Sequence, residues 1–261
     1  MSLFFRHYFL SSRPKCRVPF RIIVFYPNFE AQSEMKEKFS DTAILFFSRE
    51  MEQEARVKEL ATRHNRHVCQ TLIRSSLQTA HASHLPVITC YQQSGNSFGE
   101  RFVNALEQAF AQGYQYVIAI GNDSPLLTSQ TLRTTASLLR ENDLVLGPST
   151  DGGVYLIGIA RHTFQRHALL NFPWQTKRVQ DAFRDWTASS QLRSCWLSAL
   201  ADLDTAEDLS LFLKMSPGHK VARWIRAIIS QEKQTGSTHA IYRTNCMPPG
   251  AHALRAPPPI Q

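Results

Sequence analysis

Apolar residues along this chain follow two rhythms. Short runs closed by turn residues alternate with longer stretches in which apolar positions recur every three or four residues. The run that organises the rest lies in residues 115–127, QYVIAIGNDSPLL, where Val117 to Ile120 lead into Gly121, Asn122, Asp123, Ser124 and Pro125. Such a run predicts a strand buried on both faces. Pro125 suits the first turn of a following helix, with Ser124 as its cap. The same rhythm predicts strands over 42–47, 86–91, 143–148 and 154–159, and a short one within 194–200. Helical spacing predicts helices over 49–60, 65–84, 98–113 and 128–141. In 98–113, Phe102, Leu106, Ala109 and Phe110 share a face and Gly113 marks the stop. Strands alternating with helices of this length imply an α/β fold: a mostly parallel central sheet covered by helices. Asp123 then stands at the carboxyl end of a central strand, where open α/β sheets place their ligands. The competing reading is that Asp123 and Ser124 only start a helix, a role worth about 1 kcal/mol.

With 261 residues, 43% of them hydrophobic, the chain can bury a real core. No stretch approaches the roughly 18 to 20 apolar residues that span a bilayer, so a soluble protein is expected. The net charge of +8 is uneven. Residues 1–40 hold seven Lys/Arg and three Asp/Glu, and residues 209–261 hold seven and one. The middle, 41–208, is slightly acidic, with fifteen and seventeen. That distribution does not make nucleic acid the expected partner, although the basic ends keep binding to nucleic acid or an anionic surface open as a competing reading. Cys16, Cys69, Cys90, Cys195 and Cys246 lie far apart with no C-x-x-C pair, which argues against zinc and suits reduced thiols in a cytoplasm. Residues 1–34 read as an extension upstream of a true start at Met35, residues 35–215 as the folded domain, 216–230 as a basic helix and 231–261 as a disordered tail.

Candidate chemistry clusters at the turns. Ser149, Thr150, Asp151, Gly152 and Gly153 separate two predicted strands. Two glycines after an aspartate let backbone amides approach a ligand closely, and Asp-Gly between strands is equally a hairpin signal. Asp202, Asp204, Glu207 and Asp208 fall within seven residues; they supply hard oxygen donors, while Asp204 with Glu207 also forms a variant capping box. Arg49, Arg56 and Lys58 follow the first strand. They read either as cations for a phosphate or as a solvated face paired at Glu52–Arg56 and Glu54–Lys58. Trp174 offers a cover for the open edge of a site or a plain packing anchor. Lys177 and Arg178 offer cations for an anionic substrate or solvated charges. Neither a P-loop nor a G-x-G-x-x-G element is present.

Four stretches in order, SFGERFVNALEQAFAQGY, IGNDSPLL, VLGPSTDGGVYLIGI and LADLDTAEDL, resemble the glycosyltransferase-A-like family of largely unassigned function, itself similar to the molybdenum-cofactor and phospholactate guanylyltransferases. The resemblance covers about residues 41–213 and implies a Rossmann-like nucleotide-diphospho-sugar transferase fold. It implies a divalent metal, Mg²⁺ or Mn²⁺, bridging donor phosphates, with Asp123 at the family's metal-binding aspartate. Asp151, Gly152 and Gly153 then stand at its D-G-G element, and Asp202 and Asp204 at its late acidic motif. The partners implied are a nucleotide or nucleotide-sugar donor, which Arg56, Lys58, Asn122, Gly152 and Gly153 would contact, and a small-molecule acceptor whose hydroxyl Asp151 would orient or deprotonate. The chain departs from the family after the first strand. A Pro-Gly-x-x-Lys-Thr-Arg loop is replaced by EMEQEARVKEL, leaving Lys58 as the nearest surviving cation. Three outcomes stay open: another donor, phosphate contact by Arg56 and Lys58 alone, or a nucleotide-binding protein without turnover.

Overall fold

The structure, a computed structural model, describes residues 39–235, with side chains described to Ser230. Six strands form one sheet: β1 (Thr42–Phe47), β2 (Val87–Cys90), β3 (Tyr116–Ile120), β4 (Leu144–Pro148), β5 (Val154–Ala160) and β6 (Ser194–Trp196). The helices are α1 (Met51–Val57), α2 (Asn65–His81), α3 (Phe98–Ala111), α4 (Ser129–Leu138), α5 (Arg166–Leu170), α6 (Val179–Ser189), α7 (Ala206–Met215) and α8 (Lys220–Thr235). The spatial order is β2-β1-β3-β5-β4-β6. β1 pairs in parallel with β2 and β3, and β4 with β6, while β5 runs antiparallel to both its neighbours. Five strands therefore point one way and β5 alone is reversed.

Side-chain alternation explains the two covered faces. Leu45, Val117, Ala119, Leu144 and Leu146 pack on one face against α3, α5 and α6. Ile44, Phe46, Ile118, Ile120 and Val145 pack on the other, against α2 and α4. A third cluster joins Leu60, Val68 and Leu72 to Leu203, Leu209, Phe212, Val221 and Ile225, seating α7 and α8 beside α2. Each fully buried aliphatic contributes about 1.5–3 kcal/mol through apolar burial. Asp-Gly does make the β4–β5 hairpin, and because β5 inserts beside β3, that hairpin turn comes to the same edge as the carboxyl end of β3.

Several local expectations are corrected. Ser124 and Pro125 do not begin a helix: α4 starts four residues later, capped by Thr128, whose hydroxyl accepts from the Thr131 amide at 3.0 Å. The Ser124 hydroxyl instead donates to Asp202. The cap of α7 is Thr205 with Asp208 rather than Asp204 with Glu207, because the Asp204 carboxylate is engaged by Lys58. Glu52 pairs with Arg66 at 2.7 Å rather than with Arg56. α1 is shorter than the span expected for it, and α8 runs five residues past the span expected for the basic helix. The expected extension 1–34, the start at Met35 and the tail beyond residue 235 lie outside the described residues. Among the described residues no helix is long and apolar enough to cross a membrane. Cys69, Cys90 and Cys195 are free thiols.

Leu156 is fully buried in the reversed strand. Leu156→Ala is expected to lower unfolding free energy by about 2–5 kcal/mol in urea titration without changing the denaturant slope.

Candidate functional site at the carboxyl edge of the sheet

Four connections meet where β1, β3, β4 and β6 end. They enclose a cleft of about 640 Å³. β1 delivers Arg49 and, through α1, Glu54 and Lys58. β3 delivers Asn122 and Asp123, the β4–β5 turn Asp151 and Gly153, and the segment after β6 Asp202 and Asp204. Leu203 fastens two of these together. Its side chain is buried in the third cluster, and its amide donates to the Asp123 carbonyl at 2.8 Å. Asp202 and Asp204 flank that anchor, so one buried leucine sets both acids beside the β3 turn.

Lys58 lies at the centre. Its ammonium is 2.7 Å from Asp204 Oδ1, 3.2 Å from Asp123 Oδ2, 3.1 Å from the Leu203 carbonyl and 3.7 Å from Glu54 Oε1. Its side chain is only 11% exposed. Burial alone would favour the neutral amine, but the charges of Asp123, Asp204 and Glu54 outweigh it and hold the pKa above the usual lysine value. Glu54, 3% exposed, also receives Arg49 at 3.2 Å. The backbone that carries Lys58 is held by Asn65. Its amide nitrogen donates to the carbonyls of Ala55 (2.8 Å) and Lys58 (2.6 Å), and its oxygen accepts from the amides of Leu60 (3.0 Å) and Ala61 (3.2 Å).

Asp202 is the unbalanced acid. Burial, followed by the charge of Asp123, raises its carboxyl to about 7, against the opposing hydroxyls of Ser124 and Ser149. Tyr155 lies over Gly147, where a Cβ would come within 2.4 Å of the ring, and its hydroxyl donates to the Ser198 carbonyl at 3.1 Å. Burial and the charge of Asp202 push that phenol up to about 12. Gly121 leaves room for Asp123 to fold back over the strand end; a Cβ there would stand 2.9 Å from Asp123 Oδ1.

The expected site residues divide. Asp123, Asp151, Asp202, Asp204, Lys58, Asn122 and Gly153 all line the cleft. Arg56 is exposed on α1 and does not line it. Gly152, at φ +99°, sits against the Lys177 carbonyl, 2.4 Å from where its Cβ would be, and so packs the turn onto the segment before α6. Lys177 lines the cleft, whereas Arg178 precedes α6 without lining it. Trp174 does form a wall of the cleft, seated over Gly99 and packed on Phe98 and Phe102 at ring distances of 5.6 and 5.1 Å. Glu54, Asn65 and Leu203 went unrecognised as site-building residues. An asparagine opening a helix and a leucine between acids carry no pattern that distinguishes this role.

The carboxylates are hard oxygen donors and outnumber the cations, with Glu54, Asp123, Asp151, Asp202 and Asp204 facing Arg49, Lys58 and Lys177. In type and in charge they fit a divalent cation. Their present arrangement is different: among the described residues no three His, Cys, Asp or Glu side chains form a group that could hold a metal. Between Asp123 and Asp204 stands the Lys58 ammonium.

The arrangement of sheet and helices is matched by a solved structure provisionally named a nucleotide-diphospho-sugar transferase, from Desulfovibrio desulfuricans G20. The TM-score is 0.66 at 21% identity, over 74% of this chain and 97% of that one. The fold is that of the nucleotide-diphospho-sugar transferases. Residues 55–176 match a family described as "Uncharacterized protein conserved in bacteria (DUF2064)". No curated protein matches. Two looser structural likenesses have TM-scores too low to argue from. One is Rv0371c of Mycobacterium tuberculosis H37Rv in complex with manganese (0.42, 13% identity, 66% of this chain and 98% of that one). The other is 4-diphosphocytidyl-2C-methyl-D-erythritol synthase of Anaerococcus prevotii DSM 20548 (0.46, 10%, 65% and 95%). What these likenesses establish is the fold. A tie to the molybdenum-cofactor or phospholactate guanylyltransferases in particular does not follow.

Two outcomes are expected of this site. Asp202 holds its proton more tightly folded than unfolded, so its own contribution to stability falls as pH rises from about 4 to about 7 and is level above. Asp202→Asn, whose oxygen still accepts from Ser124, removes that slope: its melting temperature exceeds wild type at pH 8 and converges with it near pH 4. Asn65→Ala frees the 55–61 segment and leaves four backbone groups without their partner. Hydrogen exchange there should rise at least about tenfold while the sheet amides stay protected.

Proposed function

We propose that this protein is a metal-dependent transferase that takes a nucleotide or nucleotide-sugar donor and passes a glycosyl or nucleotidyl group to a small-molecule acceptor. One observation carries the reading. Asp123, Asp202, Asp204 and Lys58, from three separate connections, converge on one cleft at the carboxyl edge of a nucleotide-diphospho-sugar transferase fold. The name given to the Desulfovibrio desulfuricans structure agrees with it.

Asp123, Asp202 and Asp204 would hold Mg²⁺ or Mn²⁺, which supplies neutralisation of charge on a phosphate leaving group. The rest falls to the chain's own side chains. Lys58 and Lys177 bring positive charge to donor phosphates, and Arg49 reinforces that side of the cleft. Asp151 sits on the exposed hairpin turn, its Oδ1 held by the Gly153 amide at 3.0 Å, leaving its other oxygen to take a proton from an acceptor hydroxyl. Phe98, Phe102 and Trp174 wall one side of the cleft with apolar surface, which favours a planar or apolar group and excludes water there.

Glu54 favours a second reading. It is a buried acid on α1, on the side of the cleft where phosphates would lie, and suits a nucleotide-binding regulator without turnover. Calorimetric titration of Mg²⁺ with nucleotides and nucleotide sugars should give saturable binding that Asp123→Ala abolishes. An unchanged titration in that variant would reject the site. Product analysis on the ligands that raise the melting temperature separates the readings: turnover supports the transferase, stabilisation without product the regulator.

A further inference from the structure

The cleft already contains a cation of its own. The Lys58 ammonium has three protons and three oxygens within 3.2 Å: Asp204 Oδ1, Leu203 O and Asp123 Oδ2. The ammonium donates to Asp123 and to the Leu203 carbonyl and pairs with Asp204, the side chain is almost buried, and Asn65 fixes the backbone beneath it. Lys58 is therefore held in one place between two acids that a divalent cation would need. The site offers a choice of counter-charge, and the ammonium and the metal cannot both stand between Asp123 and Asp204.

We propose that Lys58 gates the site: its ammonium substitutes for the divalent cation on Asp123 and Asp204, and the metal enters only when an anionic phosphate group draws the lysine away. The inference rests on the transferase reading and deepens it. It makes metal and donor bind together rather than the metal first. Lys58 acts here as a positioning residue. Its long stem allows the change: four methylenes let the ammonium leave the acids for a phosphate without moving the backbone that Asn65 secures. The neighbouring Arg49 cannot play this part, because the contact it makes among the acids is with Glu54 rather than with Asp123 or Asp204.

The experiment is a titration of the full chain with Mn²⁺ alone, followed by calorimetry and by the electron-spin signal of free Mn²⁺. Lys58→Met should bind one Mn²⁺ at least about tenfold more tightly than wild type. Lys58→Arg keeps the charge and should remain weak. Arg49→Met removes the same charge from the same cleft without clearing the place, and should change affinity by less than about threefold. Adding Asp123→Asn to Lys58→Met should remove the gain. If Lys58→Met does not fold, Lys58→Gln, polar but uncharged, serves for the same measurement. Equal Mn²⁺ affinity in wild type and the Lys58 variants overturns the gate while leaving a metal-dependent transferase standing. An equal gain from Arg49→Met also overturns it, since general charge would then explain the effect. No Mn²⁺ binding in any Lys58 variant overturns both the gate and the metal site.

Discussion

The site exists because one ammonium group makes the convergence of acids tolerable. Bringing Asp123, Asp204 and Glu54 to one partly buried spot would cost several kcal/mol of repulsion and desolvation if nothing balanced them. Lys58 balances all three within 3.7 Å. Asp202, more deeply buried and making no ion pair with the lysine, has its carboxyl raised to about 7, by burial first and then by the charge of Asp123.

The reversed strand decides which loops reach that spot. Had β5 run parallel to β3, its preceding connection would have entered from the amino edge. The antiparallel pairing of Tyr116 with Ala160 through Ile120 with Leu156 brings the β4–β5 turn to the carboxyl edge, beside the end of β3. Asp151 and Gly153 owe their place in the cleft to this one reversal. The hairpin signal in Asp151-Gly152 is therefore also what carries Asp151 to the cleft, while Gly152 packs the turn.

What was legible in the sequence follows from how local each cause is. The strands and long helices were readable because period 2 and period 3.6 are written in consecutive residues: Thr42–Phe47 is found where its apolar run stands, and α3 starts at its expected residue. The place of Asp123 at the carboxyl edge was readable because that edge follows from the alternation of strands and helices, whereas Asp202 and Asp204 were set beside it only by the family resemblance. Caps were misread where a side chain had a better partner far along the chain. Ser124 turns to Asp202 and Asp204 to Lys58, and short-range rules cannot see a partner 78 or 146 positions away. Arg56 and Lys58 looked alike in sequence. Only the end of α1, which turns Lys58 inward at the helix cap and leaves Arg56 outside, separates them.

The helix α1 is where the chain's chemistry is most constrained. A glycine loop offers backbone amides to a phosphate, whereas a helix spends those amides on its own carbonyls, as the Lys58 amide does on Glu54 at 2.9 Å. Beyond the free amides of its first turn, this helix leaves phosphate contact to side chains, and their charge is limited by the acids they already serve. Arg49 and Lys58 both answer to Glu54. An incoming anion would have to compete with a buried carboxylate for each of them, which it can do only if its own charge exceeds that of a single carboxylate or if a second cation comes with it. Under the transferase proposed above, an acidic helix in this position suits a polyanionic ligand accompanied by a metal better than a singly charged one.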